Sequence, residues 1–216
     1  MKTKIIIFDF DGTLADTHEL IIRTNQEAMK AMNYPVRDEE AISKTIGLPL
    51  EKCIQTLFPE LPEEALPEWC ATYRRIFDVL KTRIVPDLFP EVKETLDTLH
   101  ERDYVMTVAS SRHSSSLNDF LRNMGIAPLF QYVLGADNVK KAKPDPEPVL
   151  QTLRATGYRA DEALMVGDMP VDILMGARAG ARTVGFTYGN SSREDLKAAG
   201  ADYVFDRFSQ LLSVLD

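Results

Sequence analysis

Apolar positions fall along the chain in two regimes. From about residue 18 to residue 80 they recur at helical spacing. Ile21, Ala28, Met29 and Met32 share one face of a helix predicted over 18–32, which Tyr34-Pro35 stops. Two shorter helices are predicted over 38–45 and 50–58, separated by Gly47-Leu48-Pro49. Leu66, Trp69, Cys70, Tyr73, Ile76, Phe77 and Leu80 then follow the i, i+3, i+4, i+7 pattern. That continuous stripe is expected to pack rather than to line a ligand site.

Beyond Pro86 and Pro90 the regime changes. Short apolar runs at 104–109, 132–134, 163–166, 183–186 and 203–205 alternate with helices predicted over 92–100, 115–124, 147–156, 173–179, 194–199 and 209–215. The opening run Ile5-Ile6-Ile7-Phe8 adds one more strand. Unbroken apolar strands joined through helices imply a parallel sheet covered on both faces. The expected fold class is therefore α/β. A doubly wound parallel-sheet core of residues 1–14 and 84–216 is interrupted by an all-helical insert, 15–83, with its own small core.

Composition narrows the function classes. A chain of 216 residues with 44% apolar content can bury a genuine core. Its net charge of -8, with no block rich in lysine or arginine, argues against a nucleic-acid surface. Asp9 cuts the opening apolar run too short for an export signal or a membrane span, so no membrane partner is expected. Cys53 and Cys70 have neither a metal spacing nor a disulfide-dense context, which suits a reducing, cytoplasmic location. Nothing repeats internally.

The chemistry concentrates where strands end. Asp9 and Asp11 follow Phe8, and the period of a strand lets both lean to one side. Two carboxylates in one volume imply a bound cation, a shared proton, or divided roles as nucleophile and acid/base. Ser110 ends a second strand, and Gly167-Asp168 ends a third, with Asp172 one helical turn later. In open α/β sheets, ligands gather at the carboxyl ends of the strands. Acids packed there need a cation, and a set of oxygens without histidine or cysteine suits Mg²⁺ better than zinc. Lys143, stiffened by Pro144, Pro146 and Pro148, is the candidate for a compensating ammonium. Four carboxylates against Mg²⁺ and Lys143 leave one net negative charge, so activity is expected near neutral or slightly acidic pH and to vanish in chelator.

In this order, Asp9-Phe10-Asp11-Gly12-Thr13, Ser110, Lys143-Pro144 and Gly167-Asp168-Met169-Pro170-Val171-Asp172 resemble the four motifs of the haloacid dehalogenase superfamily. The resemblance spans essentially the whole chain and implies a Rossmann-like core carrying a small helical cap over 15–83. It implies that Asp9 is the nucleophile, forming an aspartyl-phosphate, and that Asp11 is the acid/base. Dehalogenating members lack that second aspartate, so phosphoryl transfer is expected. It further implies Mg²⁺ held by Asp9, the Asp11 backbone carbonyl, Asp168 and Asp172. Phosphate would be bound by Ser110, Ser111 and Thr13, with Lys143 balancing charge.

Within the superfamily, Asp16 to Ile21 and Ile46 to Leu50 are most similar to phosphoglycolate phosphatases and pyrophosphatase-like members. The expected function is Mg²⁺-dependent hydrolysis of a small phosphorylated metabolite, phosphoglycolate phosphatase-like. The alternatives are a β-phosphoglucomutase-like phosphotransferase, an inorganic pyrophosphatase and a phosphoacceptor or binding module. Ile21 stands where such mutases usually place a histidine, which weighs against the first of these. Glu91 stands where relatives commonly carry glycine, which would alter a loop facing the cap. Candidate substrate-facing residues are Arg112, Gly47, Glu19, Lys44 and Arg74, with Arg112 expected to reach a second anion on the substrate. His18, His100 and His113 are expected to be packing or surface residues. The chain is expected to be a monomer or weak homodimer, with the cap hinged near 15–17 and 82–86.

Overall fold

A computed structural model describes residues 2–215; Met1 and Asp216, the outer ends of the expected core segments, lie outside the described residues. Six parallel strands form one sheet: β1 (Ile5–Phe8), β2 (Val105–Ala109), β3 (Tyr132–Leu134), β4 (Ala163–Gly167), β5 (Arg182–Phe186) and β6 (Tyr203–Phe205), in the order β3-β2-β1-β4-β5-β6. The strand order reverses at β1, whose neighbours are β2 and β4. Phe8 lies level with Val108 and Val166, so the residues that follow these three strands emerge at one rim. That rim is the crevice in which such sheets bind ligands.

Between β1 and β2 the chain forms α1 (His18–Ala31), α2 (Glu39–Ser43), α3 (Leu50–Leu57) and α4 (Leu66–Leu80). The apolar faces of these helices meet in a cluster containing Ile22, Met29, Ile54, Phe58 and Trp69. Tyr34, Phe58 and Trp69 contact one another with ring centroids 5.1 to 5.4 Å apart. Leu20 and Phe77 instead join the main core beneath. The segments entering and leaving this block run side by side, with Asp16 N–H donating to Asp87 O and Phe89 N–H to Leu14 O.

The remaining helices, α5 (Val92–Glu101), α6 (Ser114–Asn123), α7 (Glu147–Thr156), α8 (Pro170–Ala179) and α9 (Arg193–Ala198), flank the sheet. β1 shows why its apolar run has no polar alternation. Ile6 and Phe8 face Leu96, Leu99 and Phe208, whereas Ile5 and Ile7 face Val149, Leu153 and Met175. The α7 and α8 helices end in Gly157 and Gly180, both left-handed, as a helix stop requires.

Two expectations differ from what is observed. The last helix is a 3-10 helix, Phe208–Val214, in which Phe208, Leu211 and Val214 stand three residues apart, one turn each, with Leu212 beside them. Glu91 does adopt the left-handed geometry that favours glycine (φ 69°), but its carboxylate faces Arg207 and the Ser209 N–H rather than the helical insert. Among the described residues no helix is long and apolar enough to cross a membrane.

Candidate active site

Asp9 continues the β1 ladder by one residue, its N–H donating to Val166 O at 2.8 Å. Its Oδ1 accepts from Phe10 N–H and from Lys143 Nζ, each at 2.7 Å. Its Oδ2 is buried and has no hydrogen-bond partner. Asp168, just past β4, accepts from the Thr13 hydroxyl on Oδ1 (2.8 Å) and from the backbone and side-chain N–H groups of Asn190 on Oδ2 (2.8 and 2.9 Å). Asp172 lies in the first turn of α8. It accepts from Lys143 Nζ at 2.7 Å and from Met169 N–H at 3.1 Å.

Oxygens of Asp9, Asp168 and Asp172 therefore lie within 4.8 Å of one another, all buried. Such close packing requires small residues nearby. A Cβ on Gly12, itself left-handed at φ 80°, or on Gly189 would collide with the Asp168 carboxylate.

Electrostatics follow from that packing. Burial, then the neighbouring Asp172, push Asp9 well above the usual carboxylate range despite Lys143. Asp168 is pushed up to about 6, chiefly by burial and then by Asp172, against the hydrogen bonds from Asn190 and Thr13. Burial works against charge on Lys143, but Asp172 and Asp9 outweigh it and hold the ammonium above its ordinary value. Three carboxylates facing one ammonium lack positive charge, and one oxygen lacks any donor. An oxygen-only set with that deficit fits a hard divalent cation.

Asp11 belongs to a second network. Its Oδ1 accepts from the Thr17 hydroxyl (2.7 Å) and from Arg112 Nη2, and its Oδ2 from Arg112 Nε (3.1 Å). The guanidinium carbon lies 4.9 Å from the centroids of both Phe77 and Phe120, whose rings meet edge to face. Arg112 N–H donates to Ser110 Oγ at 3.1 Å. The Ser111 hydroxyl crosses to the helical insert and donates to Gly47 O at 2.7 Å.

Above these groups lies a cavity of about 430 Å³ between sheet rim and insert. Gly47, Arg74, Ser110, Ser111 and Arg112 line it together with Asp9 and Asp11. The α4 stripe, expected only to pack, does both: Trp69 and Cys70 are buried in the insert, whereas Tyr73 and Phe77 form a cavity wall. His113 also lines the cavity and caps α6, while His18 hydrogen-bonds Ser43 at 2.7 Å. Thr13 holds Asp168, Glu19 is exposed, and Lys44 pairs with Glu40 on the outside of α2. Asn190, Thr17 and Asn25 are not among the site residues that the sequence points to. Asn190 alone had a usable signal, since it follows β5 at the rim that carries the other strand-end groups.

Known proteins resemble the chain over nearly its whole length. A family model described as haloacid dehalogenase-like hydrolase matches residues 6–186. The chain is 35% identical over 213 residues to a Dickeya dadantii protein named "Probable phosphatase IndB", covering 96% of this chain and 91% of the relative. It is 32% identical over 222 residues to a phosphoglycolate phosphatase of Vibrio parahaemolyticus, covering 98% and 96% of the two chains. It is 31% identical over 215 residues to the pyrophosphatase PpaX of Anoxybacillus flavithermus, covering 100% and 98%. A crystal structure of a haloacid dehalogenase-like hydrolase from Bacteroides fragilis matches with a TM-score of 0.93 at 27% identity, over 97% of this chain and 100% of that one.

Proposed function

The chain belongs to the haloacid dehalogenase-like hydrolases and is a phosphatase of that family; from that premise we propose that it hydrolyses a small phosphorylated metabolite through an aspartyl-phosphate on Asp9. The observation that carries this reading is the state of the Asp9 carboxylate. Oδ1 is fixed by Phe10 N–H and Lys143, Oδ2 is left without a donor, and Asp9 lines the cavity.

A carboxylate oxygen of Asp9 attacks phosphorus as the bond to the leaving oxygen breaks, and Asp11 gives the leaving oxygen a proton. Asp11 then takes a proton from the water that attacks the same phosphorus, breaking the bond to Asp9 and releasing inorganic phosphate. Ser110 already accepts from Arg112 N–H through its oxygen, which leaves the hydroxyl proton for a phosphoryl oxygen. Lys143 keeps the Asp9 and Asp172 carboxylates together and offsets the charge of the incoming phosphate. Asp9, Asp168 and Asp172, with the Asp11 carbonyl, would hold Mg²⁺. When bound, that ion supplies the positive charge that the cluster lacks and draws the phosphoryl group onto it.

The Ser111 to Gly47 hydrogen bond supports a helical cap (15–83) that seats on the rim and shields the transfer from bulk water. Ile21 lines the cavity where a mutase would present a histidine, which favours release to water over transfer to a second sugar position. The test is Mg²⁺-dependent phosphate release from p-nitrophenyl phosphate, with acid-quenched protein analysed for phosphate on Asp9. Activity that persists in excess EDTA or in Asp9→Asn defeats the reading. A long-lived phosphoprotein without turnover would favour a phosphoacceptor instead.

A further inference from the structure

The reaction chemistry leaves Asn25 without a task, yet this residue sits in the cavity wall. It is only 3% exposed. Its side-chain NH₂ donates to Ile21 O at 3.0 Å, which fixes the amide orientation, because a carbonyl can only be met by the amide nitrogen. The remaining Oδ1 is buried and has no hydrogen-bond partner. An acceptor held that way is costly alone and selective for a ligand that brings a donor.

Helix geometry says how far from phosphorus that donor must lie. Thr17, which touches Asp11, caps α1, and Asn25 is eight residues further along. At 1.5 Å per residue their backbones stand about 12 Å apart, so a ligand that meets Asp11 at one end and Asn25 Oδ1 at the other spans roughly 8–10 Å once side-chain reach is subtracted. A two-carbon acid spans about half of that. The cavity of about 430 Å³ also exceeds what such an acid fills. Ile21, Leu48, Tyr73 and Phe77 are among the residues that line the cavity. The two arginines of the cavity are engaged, Arg112 with Asp11 and Arg74 with Glu51 at 3.6 Å.

We propose that the site takes a phosphate monoester whose alcohol has a flat or ring-shaped body and, roughly 8–10 Å from phosphorus, a hydroxyl or N–H that donates to Asn25 Oδ1. The proposal rests on the phosphatase reading above and supplies the leaving group that reading left open.

Binding separates the two. Calorimetry on Asp9→Asn with Mg²⁺ compares phenethyl phosphate, the same ester with a para-hydroxyl, and phosphoglycolate. The hydroxylated ester is expected to bind roughly tenfold or more tightly than either, and adding Asn25→Leu to erase that preference. Equal affinity for the two phenethyl esters, stronger binding of phosphoglycolate, or a hydroxyl preference that survives Asn25→Leu would each overturn the proposal. The first two outcomes need no Asn25 variant, so they hold even if Asn25→Leu folds poorly. Failure of the phosphatase reading itself would show separately, as absence of p-nitrophenyl phosphate hydrolysis by the unmodified chain.

Discussion

The Arg112 guanidinium spans the carboxylate of Asp11, donating to both oxygens while Thr17 donates to one of them. Both oxygens of the proposed acid/base are thus occupied by donors of this chain. Both groups are shielded as well, with side-chain exposures of 8% and 11%. A bidentate pair of this kind fixes position as much as charge. Arg112 is therefore a positioning residue for Asp11 in addition to whatever it offers a substrate.

Arg112→Ala should release Asp11 from its fixed orientation. The loss should be largest where the leaving oxygen most needs a proton. An alkyl phosphate is expected to lose about 10² in kcat, the lower end of general-acid contributions, and p-nitrophenyl phosphate, whose leaving group is stable as an anion, much less. Arg112→Lys should restore little, since an ammonium cannot span two oxygens. Equal losses on both substrates would contradict this role.

The raised Asp168 value makes a statement about stability. In the folded chain the group titrates at about 6, above its ordinary 3.8. Between those values the folded state binds more protons than the unfolded state, so the stability of the metal-free protein falls as pH rises through that window. The shift corresponds to about 3 kcal/mol for this fully buried group. Asp168→Asn removes the titration. Denaturant melts in EDTA should find the variant more stable than the unmodified chain at pH 7 but not at pH 4, and Mg²⁺ should stabilise only the unmodified chain at pH 7. A difference that grows toward low pH would refute the assignment.

What the sequence made legible follows from how the sheet is built. Asp9 and Asp168 each end an apolar run, and a parallel sheet brings such ends together, so their convergence could be read from the pattern. The partner of Arg112 could not, because Asp11 is 101 residues away and their meeting depends on the register of β1 against β2. Asn190 holds Asp168 only because the loop after β5 folds back over β4. The sequence does not distinguish Tyr73 and Phe77 from packing residues, because a cavity wall and a core face use the same helical spacing. At Phe208–Val214 the sequence does not separate a 3-10 helix from an ordinary one, because the three-residue spacing of Phe208, Leu211 and Val214 satisfies part of either pattern.

Lys143 links the two halves of the acidic cluster, its Nζ lying 2.7 Å from both Asp9 and Asp172. It is also buried, so removing its charge leaves two carboxylates facing each other with no water to screen them. Lys143→Met keeps the length of the side chain and deletes the ammonium. The metal-free variant is expected to lose about 3–5 kcal/mol at pH 7, the usual consequence of stripping one partner from a buried ion pair. Two routes should recover part of that loss, each by a stated cause. Lowering the pH favours a proton on Asp9, whose proton affinity burial and Asp172 already raise. Adding Mg²⁺ replaces the missing charge, so the stabilisation it gives should be larger in Lys143→Met than in the unmodified chain. Thermal melts at pH 5 and pH 7, with and without Mg²⁺, measure both. A variant as stable as the unmodified chain in EDTA at pH 7 would mean that Lys143 is not what holds the carboxylates together.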